Sequence, residues 1–262
     1  MTSLPTHRGD DGSWICQKES ISRQYKFLRR IVRLKFNQMD FQFALWQMVY
    51  LMTNPGKVYK NSRYRKDTKN QWARDDPAFL VLLAVFLCGS SILFAIILKL
   101  SVPGFFQFLL WVIFIDCIGV GLVIASIMWF VCNRVFKVRG GGFDQNVEFG
   151  YAFDVHCNAF FPLLVILHVL QPILWHVMID GDSRLATVLG NSMWMSAMCI
   201  YVYISMIGYA ALPFLKGTEK LLYCVPIILI MFTFSVLINW NWGRRLIHFY
   251  KFRIGEWISD SI

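Results

Sequence analysis

Long stretches without a charged side chain recur along most of the sequence. They cover residues 77–98, 100–133 apart from Asp116, 155–179, 185–215 and 221–243. An apolar helix needs about 20 residues to cross the roughly 30 Å hydrocarbon core of a bilayer, so each stretch is long enough for one crossing. In lipid, only helices or closed barrels satisfy the backbone polar groups, and the period-two alternation of a barrel is absent. The pattern predicts an all-α polytopic membrane protein with five transmembrane helices.

The predicted chain has four regions. Residues 1–19 form a variable, disordered N-terminus, 20–76 a basic helical region, 77–243 the membrane domain, and 244–262 a short tail. The second span is one long helix with Asp116 near its middle, because the charge-free pieces on either side are too short to cross alone. The spans lie approximately at 78–98, 105–131, 159–179, 187–212 and 221–242.

Composition indicates the class of protein, and the distribution of charge predicts the orientation of the chain in the membrane. Hydrophobic residues make up 56% of the chain and charged residues 16%, against roughly 45–50% and 25% in soluble domains. This composition argues against an ordinary soluble globular protein and excludes disorder for most of the length. Of the 26 Lys and Arg residues, 15 precede the first span. Because cytoplasmic flanks are rich in Lys and Arg, the N-terminus is predicted to be cytoplasmic and the C-terminal tail lumenal. The four bases of the tail, Arg244, Arg245, Lys251 and Arg253, run against this rule.

The region before the first span favours two further helices. Residues 20–36 place apolar side chains at helical spacing among many bases, as membrane-surface helices do. Residues 41–52 are nearly all apolar but too few to cross a bilayer, and Asn54-Pro55-Gly56 ends them. We predict two amphipathic, interfacial helices on the cytoplasmic leaflet. A small helical hairpin with a solvated basic face fits the same pattern.

Seven Lys and Arg residues lie directly before the first span, and we name them the basic segment. Such clusters attract anionic lipids at about 1 kcal/mol per residue. Interleaved aromatic residues would also allow RNA phosphates to bind and bases to stack. A simple positive-inside signal for topology remains a third interpretation. The segment consists of Lys57, Lys60, Arg63, Arg65, Lys66, Lys69 and Arg74.

Two ionisable side chains lie deep in the predicted spans. A carboxyl such as Asp116 costs roughly 2.5–3.5 kcal/mol at the centre of a span, so it needs a partner. His168 lies at a similar depth in the third span, which predicts a contact between the two. This polar cluster would be either a proton- or cargo-sensitive site or a structural clamp. Small residues that allow close helix approach surround Asp116, namely Gly119, Gly121 and Ala125.

Motifs for catalysis and metal binding are missing. Neither HExxH nor GxSxG occurs. The pair His176 and Asp180, and the set Asp154, His156 and Cys157, both lack the further ligands that zinc or iron would need. We expect a protein that is not an enzyme, with no catalytic residue, metal or cofactor.

Several long strings in order resemble the Unc-fifty (uncoordinated-fifty) family of Golgi membrane proteins, which is distantly similar to the Yip-type five-span proteins. The resemblance covers roughly residues 20–254. The strings are QMDF at 38–41, WQM at 46–48, RK at 65–66, QWARDDPAF at 71–79, IDC at 115–117, GVG at 119–121, GYAFDVH at 150–156, NAF at 158–160, PLLVILH at 162–168, GY at 208–209 and ALPF at 211–214.

The resemblance implies a five-span Golgi protein that assists early-secretory trafficking, including surface delivery of nicotinic acetylcholine receptors. It also implies a link to large guanine-nucleotide exchange factors for Arf GTPases. RNA binding and an inner nuclear membrane location are attached to the family as well. No catalytic residues follow from the resemblance.

We therefore interpret the chain as a Golgi adaptor whose N-terminal helices and loop 132–158 recruit Arf exchange factors and whose spans contact membrane cargo. The candidate partner-facing patch is Trp72, Arg74 and Asp75, since it is polar, aromatic and beside the membrane. Asp75 or Asp76 also suits the N-cap of the first span, with Pro77 at its first position. The alternatives are an RNA-binding membrane protein that uses the basic segment, and a proton-linked transporter that uses Asp116 and His168.

Overall fold

The computed structural model describes residues 39–138, 145–175 and 183–254. Across these residues the regular structure is helical, apart from one antiparallel bridge between Lys137 and Leu215. The predicted interfacial helix at 20–36 and the N-terminal segment 1–19 lie outside the described residues. The helices are α1 (Phe41–Thr53), α2 (Pro55–Lys69), α3 (Ala78–Leu98), α4 (Val102–Phe136), α5 (Phe149–Ile173), α6 (Arg184–Ala210), α7 (Thr218–Leu237) and α8 (Trp242–Ile254).

Five of these helices, α3 to α7, are long and apolar enough to cross a membrane, which confirms the predicted fold class. The connection between α3 and α4 shows how closely local chemistry sets their ends. Lys99 ends α3 in a left-handed conformation with φ of 53°. Ser101 then caps α4 by accepting the Gly104 N–H at 3.2 Å, and Pro103 lies in the first turn, where no N–H is needed.

Helix α5 forms the centre of the bundle. In its most apolar stretch 61% of the residues are buried inside the protein, against 11–28% in the other four spans. It packs against α6 and α4, and α1 covers part of its first half. Because α5 meets protein on most sides, it tolerates polar residues that lipid would exclude.

Two spans contain stretches of wider, π-helical turns. They are Val112–Gly119 and Cys132–Phe136 in α4 and Val165–Leu170 in α5. Asp116 and His168 each lie inside one of them. The stretch in α5 ends directly before Gln171 and Pro172, where the amide of Gln171 bonds five residues back to Ile166. The proline cannot donate a backbone hydrogen bond, and the wider turns accommodate that loss.

Helices α1 and α2 are anchored to the spans. Ala44, Gln47, Met48 and Leu51 form a buried face of α1 at helical spacing. Asp40 caps α1 by accepting the Phe43 N–H at 2.8 Å. Pro55 starts α2, which packs on the end of α6.

Helix α8 was not predicted. It follows a tight turn after α7 and packs on α4 and α6. The turn is held by Asn191 of α6, whose side-chain amide donates to the Ser235 hydroxyl and the Trp240 carbonyl, both at 2.8 Å. Its side-chain carbonyl accepts the Trp242 N–H at 2.9 Å. One buried side chain therefore joins α6, α7 and α8.

Candidate functional site

The predicted contact between Asp116 and His168 is wrong in the described structure. Asp116 accepts a hydrogen bond of 2.6 Å from the Tyr250 hydroxyl of α8. A half-buried carboxylate inside a candidate span needs a donor, and α8 supplies one that lies 134 residues further along the chain. Asp116 therefore holds α8 against α4.

His168 lies in a separate, apolar environment. Its ring contacts Phe94 of α3 edge-on, with 5.3 Å between ring centroids, and its Nδ1 atom is buried without a hydrogen-bond partner. The same depth in two neighbouring spans did not bring Asp116 and His168 together, because their side chains leave their helices towards different neighbours. The side chain of His168, which is on α5, packs against α3.

His156 occupies the position between spans that was predicted for His168. Its Nδ1 atom lies 2.8 Å from the Tyr201 hydroxyl and its Nε2 atom 3.3 Å from the Cys117 carbonyl. A carbonyl only accepts hydrogen bonds, so Nε2 carries a proton, and in the neutral imidazole Nδ1 then accepts from Tyr201. The His156 ring thus joins α4, α5 and α6. The sequence pattern suggests for His156 only a potential metal-binding set with Asp154 and Cys157, which has too few ligands.

Among the small residues of α4, Gly121 lies on the contact with α5. A Cβ atom on Gly121 would come within 2.6 Å of the His156 ring, and Ala125 is fully buried. A Cβ on Gly119 would instead meet the Phe114 carbonyl of the same helix at 3.1 Å. Gly121 is the residue that allows His156 to reach the backbone of α4.

We expect Gly121→Ala to destabilise the protein by about 1–3 kcal/mol, the usual cost of overpacking. The matched control is Gly89→Ala in α3, where a Cβ would meet no atom within 4 Å. That variant should be neutral or up to about 1 kcal/mol more stable, because alanine favours helix over glycine. Thermal unfolding of the purified proteins in detergent measures both, and equal midpoints would contradict this account.

The segment between α2 and α3 meets the start of α5, and we name this contact the junction (residues 70–77 with 148–158). The Glu148 carboxylate accepts the backbone N–H groups of Trp72 at 3.3 Å and Ala73 at 3.2 Å. Asp154 accepts the Arg74 N–H at 2.5 Å. Two acidic side chains therefore bind three consecutive peptide groups of the connection.

The predicted partner-facing patch lies mainly inside the junction, which corrects its proposed exposure. Trp72 and Arg74 are buried, at 4% and 8% exposure. The Arg74 guanidinium donates to the Asn158 side-chain carbonyl at 2.6 Å and lies 4.0 Å from the centre of the Phe79 ring. Asp75 is half-buried and accepts from the Gln71 side chain.

Asp76 has the capping role foreseen for one of the two aspartates. One of its carboxylate oxygens accepts the Ala78 N–H at 3.0 Å, at the start of α3. The other accepts the Asp40 N–H at 2.7 Å, at the start of α1. A single carboxylate thus joins the first turns of two helices.

The basic segment divides into exposed and buried members. Lys57, Lys60 and Arg63 are exposed along one face of α2, which we name the basic face. Arg63 also donates to the Ala211 carbonyl at 2.8 Å, near the end of α6. Arg65 and Lys66 are half-buried, Arg74 is buried, and the side chain of Lys69 is outside the described part. Burial, and then the neighbouring charge of Arg74, lowers the pKa of Arg65.

Helix α1, which precedes the basic face in the chain, exposes apolar side chains. Leu45, Val49 and Met52 follow one another at helical spacing and are 52%, 60% and 44% exposed. We name them the apolar stripe. They lie on a helix outside the five candidate spans, so they suit contact with a leaflet or a partner protein.

A family model for the UNC-50 family matches residues 27–251 of this chain. The chain belongs to the UNC-50 family. "Protein unc-50 homolog A" of Xenopus laevis is 51% identical over 233 residues, 89% of each chain. "Protein unc-50" of Caenorhabditis elegans is 53% identical over 229 residues, 87% of this chain and 74% of its own length. "Protein unc-50 homolog" of Homo sapiens is 50% identical over 233 residues, 89% of each chain. No solved structure matches.

Strings that resemble the UNC-50 family meet at the junction, although they lie far apart in sequence. Trp72 packs on Tyr151 and Phe214, each with 6.2 Å between ring centroids. Tyr151 in turn donates to the Gly208 carbonyl at 2.6 Å. The segments 71–79, 150–160 and 208–214 thus form one packed unit at the end of the bundle where α1 and α2 attach.

The junction and the spans hold no metal site in the part of the UNC-50 chain that the structure describes. In those residues no group of three or more His, Cys, Asp or Glu side chains is placed to bind a metal. Asp154 and His156 have separate hydrogen-bond partners, Arg74 and Tyr201. His176 and Asp180 lie outside the described residues.

Proposed function

We propose that this UNC-50 protein is a trafficking adaptor of the Golgi membrane, with a cytoplasmic N-terminus and a lumenal C-terminus. It supports surface delivery of membrane cargo such as nicotinic acetylcholine receptors. Its partners in this role are large Arf exchange factors on the cytoplasmic side and cargo helices in the bilayer. An inner nuclear membrane pool is a secondary location.

The observation that carries the proposal is the exposed surface of α1 and α2. The basic face lies on α2 and the apolar stripe on α1, and both helices are outside the five candidate spans. Asp76, Arg63 and the junction hold these helices to the spans. Recognition surfaces on rigid elements need little ordering when a partner binds. The surface combines attraction for acidic partners and anionic lipid with apolar contact area.

The two alternatives receive less support. Base stacking needs exposed aromatic rings, but Trp72 and Tyr59 are buried beside the basic segment, while Tyr64 is exposed. A proton relay through Asp116 and His168 needs a path between them, but Asp116 bonds to Tyr250 and His168 packs on Phe94. We therefore retain the adaptor as the proposed function.

Reversal of charge on the basic face tests the proposal. In cells that lack the protein, Lys57→Glu with Lys60→Glu should fail to restore surface receptor and exchange-factor binding. Both lysines are exposed, so the variant should keep its Golgi location and abundance. Surface receptor labelling and co-purification of exchange factors measure the two effects.

The matched control is Lys216→Glu with Lys220→Glu, which makes the same charge change at exposed positions on the same predicted side of the membrane. We expect this variant to restore surface receptor like the wild type. If both double variants fail equally, the net charge rather than the basic face matters. If both restore transport, the basic face is not the recruiting surface.

A further inference from the structure

A groove of about 610 Å³ lies between α4 and α8, away from the junction. Its apolar wall comes from Leu110, Phe114 and Ile115 of α4, which are 54%, 57% and 45% exposed. Because α4 is one of the five candidate spans, this wall faces the hydrocarbon region. The volume falls within the roughly 300–1,000 Å³ typical of small-molecule sites.

The floor of the groove is held in place. Tyr250 of α8 lines it and donates to Asp116 at 2.6 Å. The Tyr250 ring also contacts Phe108 edge-on, with 5.1 Å between ring centroids. The carboxylate in the second span thus acts as a positioning residue for the groove.

Two polar side chains line the groove. Gln107 lies close to the beginning of α4, and Arg253 lies in the last turn of α8. The Arg253 guanidinium stacks on Trp111, 4.7 Å from the ring centroid. Stacking leaves the N–H groups along the guanidinium edge available for a planar, bidentate anion such as phosphate. Arg253 is exposed and forms no ion pair with a carboxylate among the described residues.

We propose that this groove binds one anionic phospholipid, with its phosphate on Arg253 and an acyl chain along Leu110, Phe114 and Ile115. The lining of the groove matches the two parts of a lipid. Gln107, nearer the beginning of α4, is polar like a headgroup, and the apolar wall that follows it along the span suits an acyl chain. The long arginine side chain reaches the headgroup level while its stem stays on apolar surface. The positive charge selects anionic over zwitterionic headgroups.

Native mass spectrometry of the full chain in detergent tests this, with phosphatidylserine and phosphatidylcholine of identical acyl chains as probes. The wild type should bind one phosphatidylserine more tightly than phosphatidylcholine. Arg253→Gln should weaken phosphatidylserine binding roughly fivefold to tenfold, as expected for one cation near a headgroup. Phosphatidylcholine binding should weaken less, because the choline ammonium offsets the charge of its phosphate. Leu110→Trp, which fills the groove, should weaken both.

The matched control is Arg245→Gln. Arg245 is on the same helix and stacks on Trp240 at 4.2 Å, but it does not line the groove. It should bind both lipids like the wild type, and equal melting temperatures would show that the variants are folded. Equal losses for Arg253→Gln and Arg245→Gln, or equal binding of the two lipids by the wild type, would overturn the proposal. A protein bound in place of lipid, and displaced by Leu110→Trp, would also overturn it.

Discussion

Replacement of Arg74 by leucine should destabilise the protein by about 2–4 kcal/mol, because it leaves a buried acceptor without its charged donor. Arg74 is 8% exposed, and its charge also stabilises the half-buried carboxylate of Asp154. The variant leaves that carboxylate, and the Asn158 side chain that accepted from Arg74, without the cation. A loss of this size is comparable to a large part of the total stability of many domains. Unfolding of the purified protein in detergent measures it.

Two further variants separate the cause from a general effect of losing an arginine. Arg134→Leu removes an exposed arginine that also lies over a phenylalanine ring, 5.8 Å from Phe130, and it should change stability by less than about 0.5 kcal/mol. The double variant Arg74→Leu with Asp154→Asn should recover part of the loss, because the lone carboxylate charge is removed while the amide oxygen still accepts the N–H of residue 74. If the double variant is no better than Arg74→Leu, the side-chain charge of Asp154 is not the reason.

Asn191→Leu should release the turn before α8 and destabilise the protein by about 2–5 kcal/mol. Asn191 is fully buried, and its side chain forms hydrogen bonds with the Ser235 hydroxyl, the Trp240 carbonyl and the Trp242 N–H. Leucine leaves the Trp240 carbonyl and the Trp242 N–H without a partner, at about 1–3 kcal/mol each. Since the turn positions α8, the bond between Tyr250 and Asp116 should weaken with it.

Hydrogen exchange of the Trp242 amide, together with thermal unfolding, measures the effect of Asn191→Leu. The amide should exchange at least tenfold faster than in the wild type, because its acceptor is gone. Ser196→Leu is the control on the same helix: Ser196 is exposed and its hydroxyl only bonds to Ser192 one turn back. If the Trp242 amide stays as protected as in the wild type, Asn191 does not hold the turn.

The burial of the predicted partner patch in the junction could not be inferred from its local sequence. Trp72 and Arg74 follow a basic, polar segment, and such residues are mostly exposed. Their burial depends on Glu148 and Asp154, which lie 76 and 80 positions from the backbone groups they accept. Nothing in the spacing of residues 70–77 carries information about acceptors so far away. The pattern at 75–77 did predict the cap supplied by Asp76, because capping is a local interaction.

The contacts of Asp116 and His156 could not be inferred from the local sequence either. Asp116 needed a donor in lipid, and that requirement followed from its chemistry alone. The donor, Tyr250, belongs to a helix whose position depends on Asn191 and the turn after α7. His156 was visible in the sequence, but its function as a link between three helices depends on Gly121 and Tyr201.

The linear pattern is sufficient for the membrane class, the five helices and the local helix ends. These properties depend on hydrophobic length and on neighbours within a few residues, so they can be read without the fold. The partners of Asp116, the burial of Trp72 and Arg74, the docking of α8 and the lipid-facing groove are properties of the folded chain. They arise from side chains separated by tens of residues, and only the packing of α4, α5, α6 and α8 brings those side chains into contact.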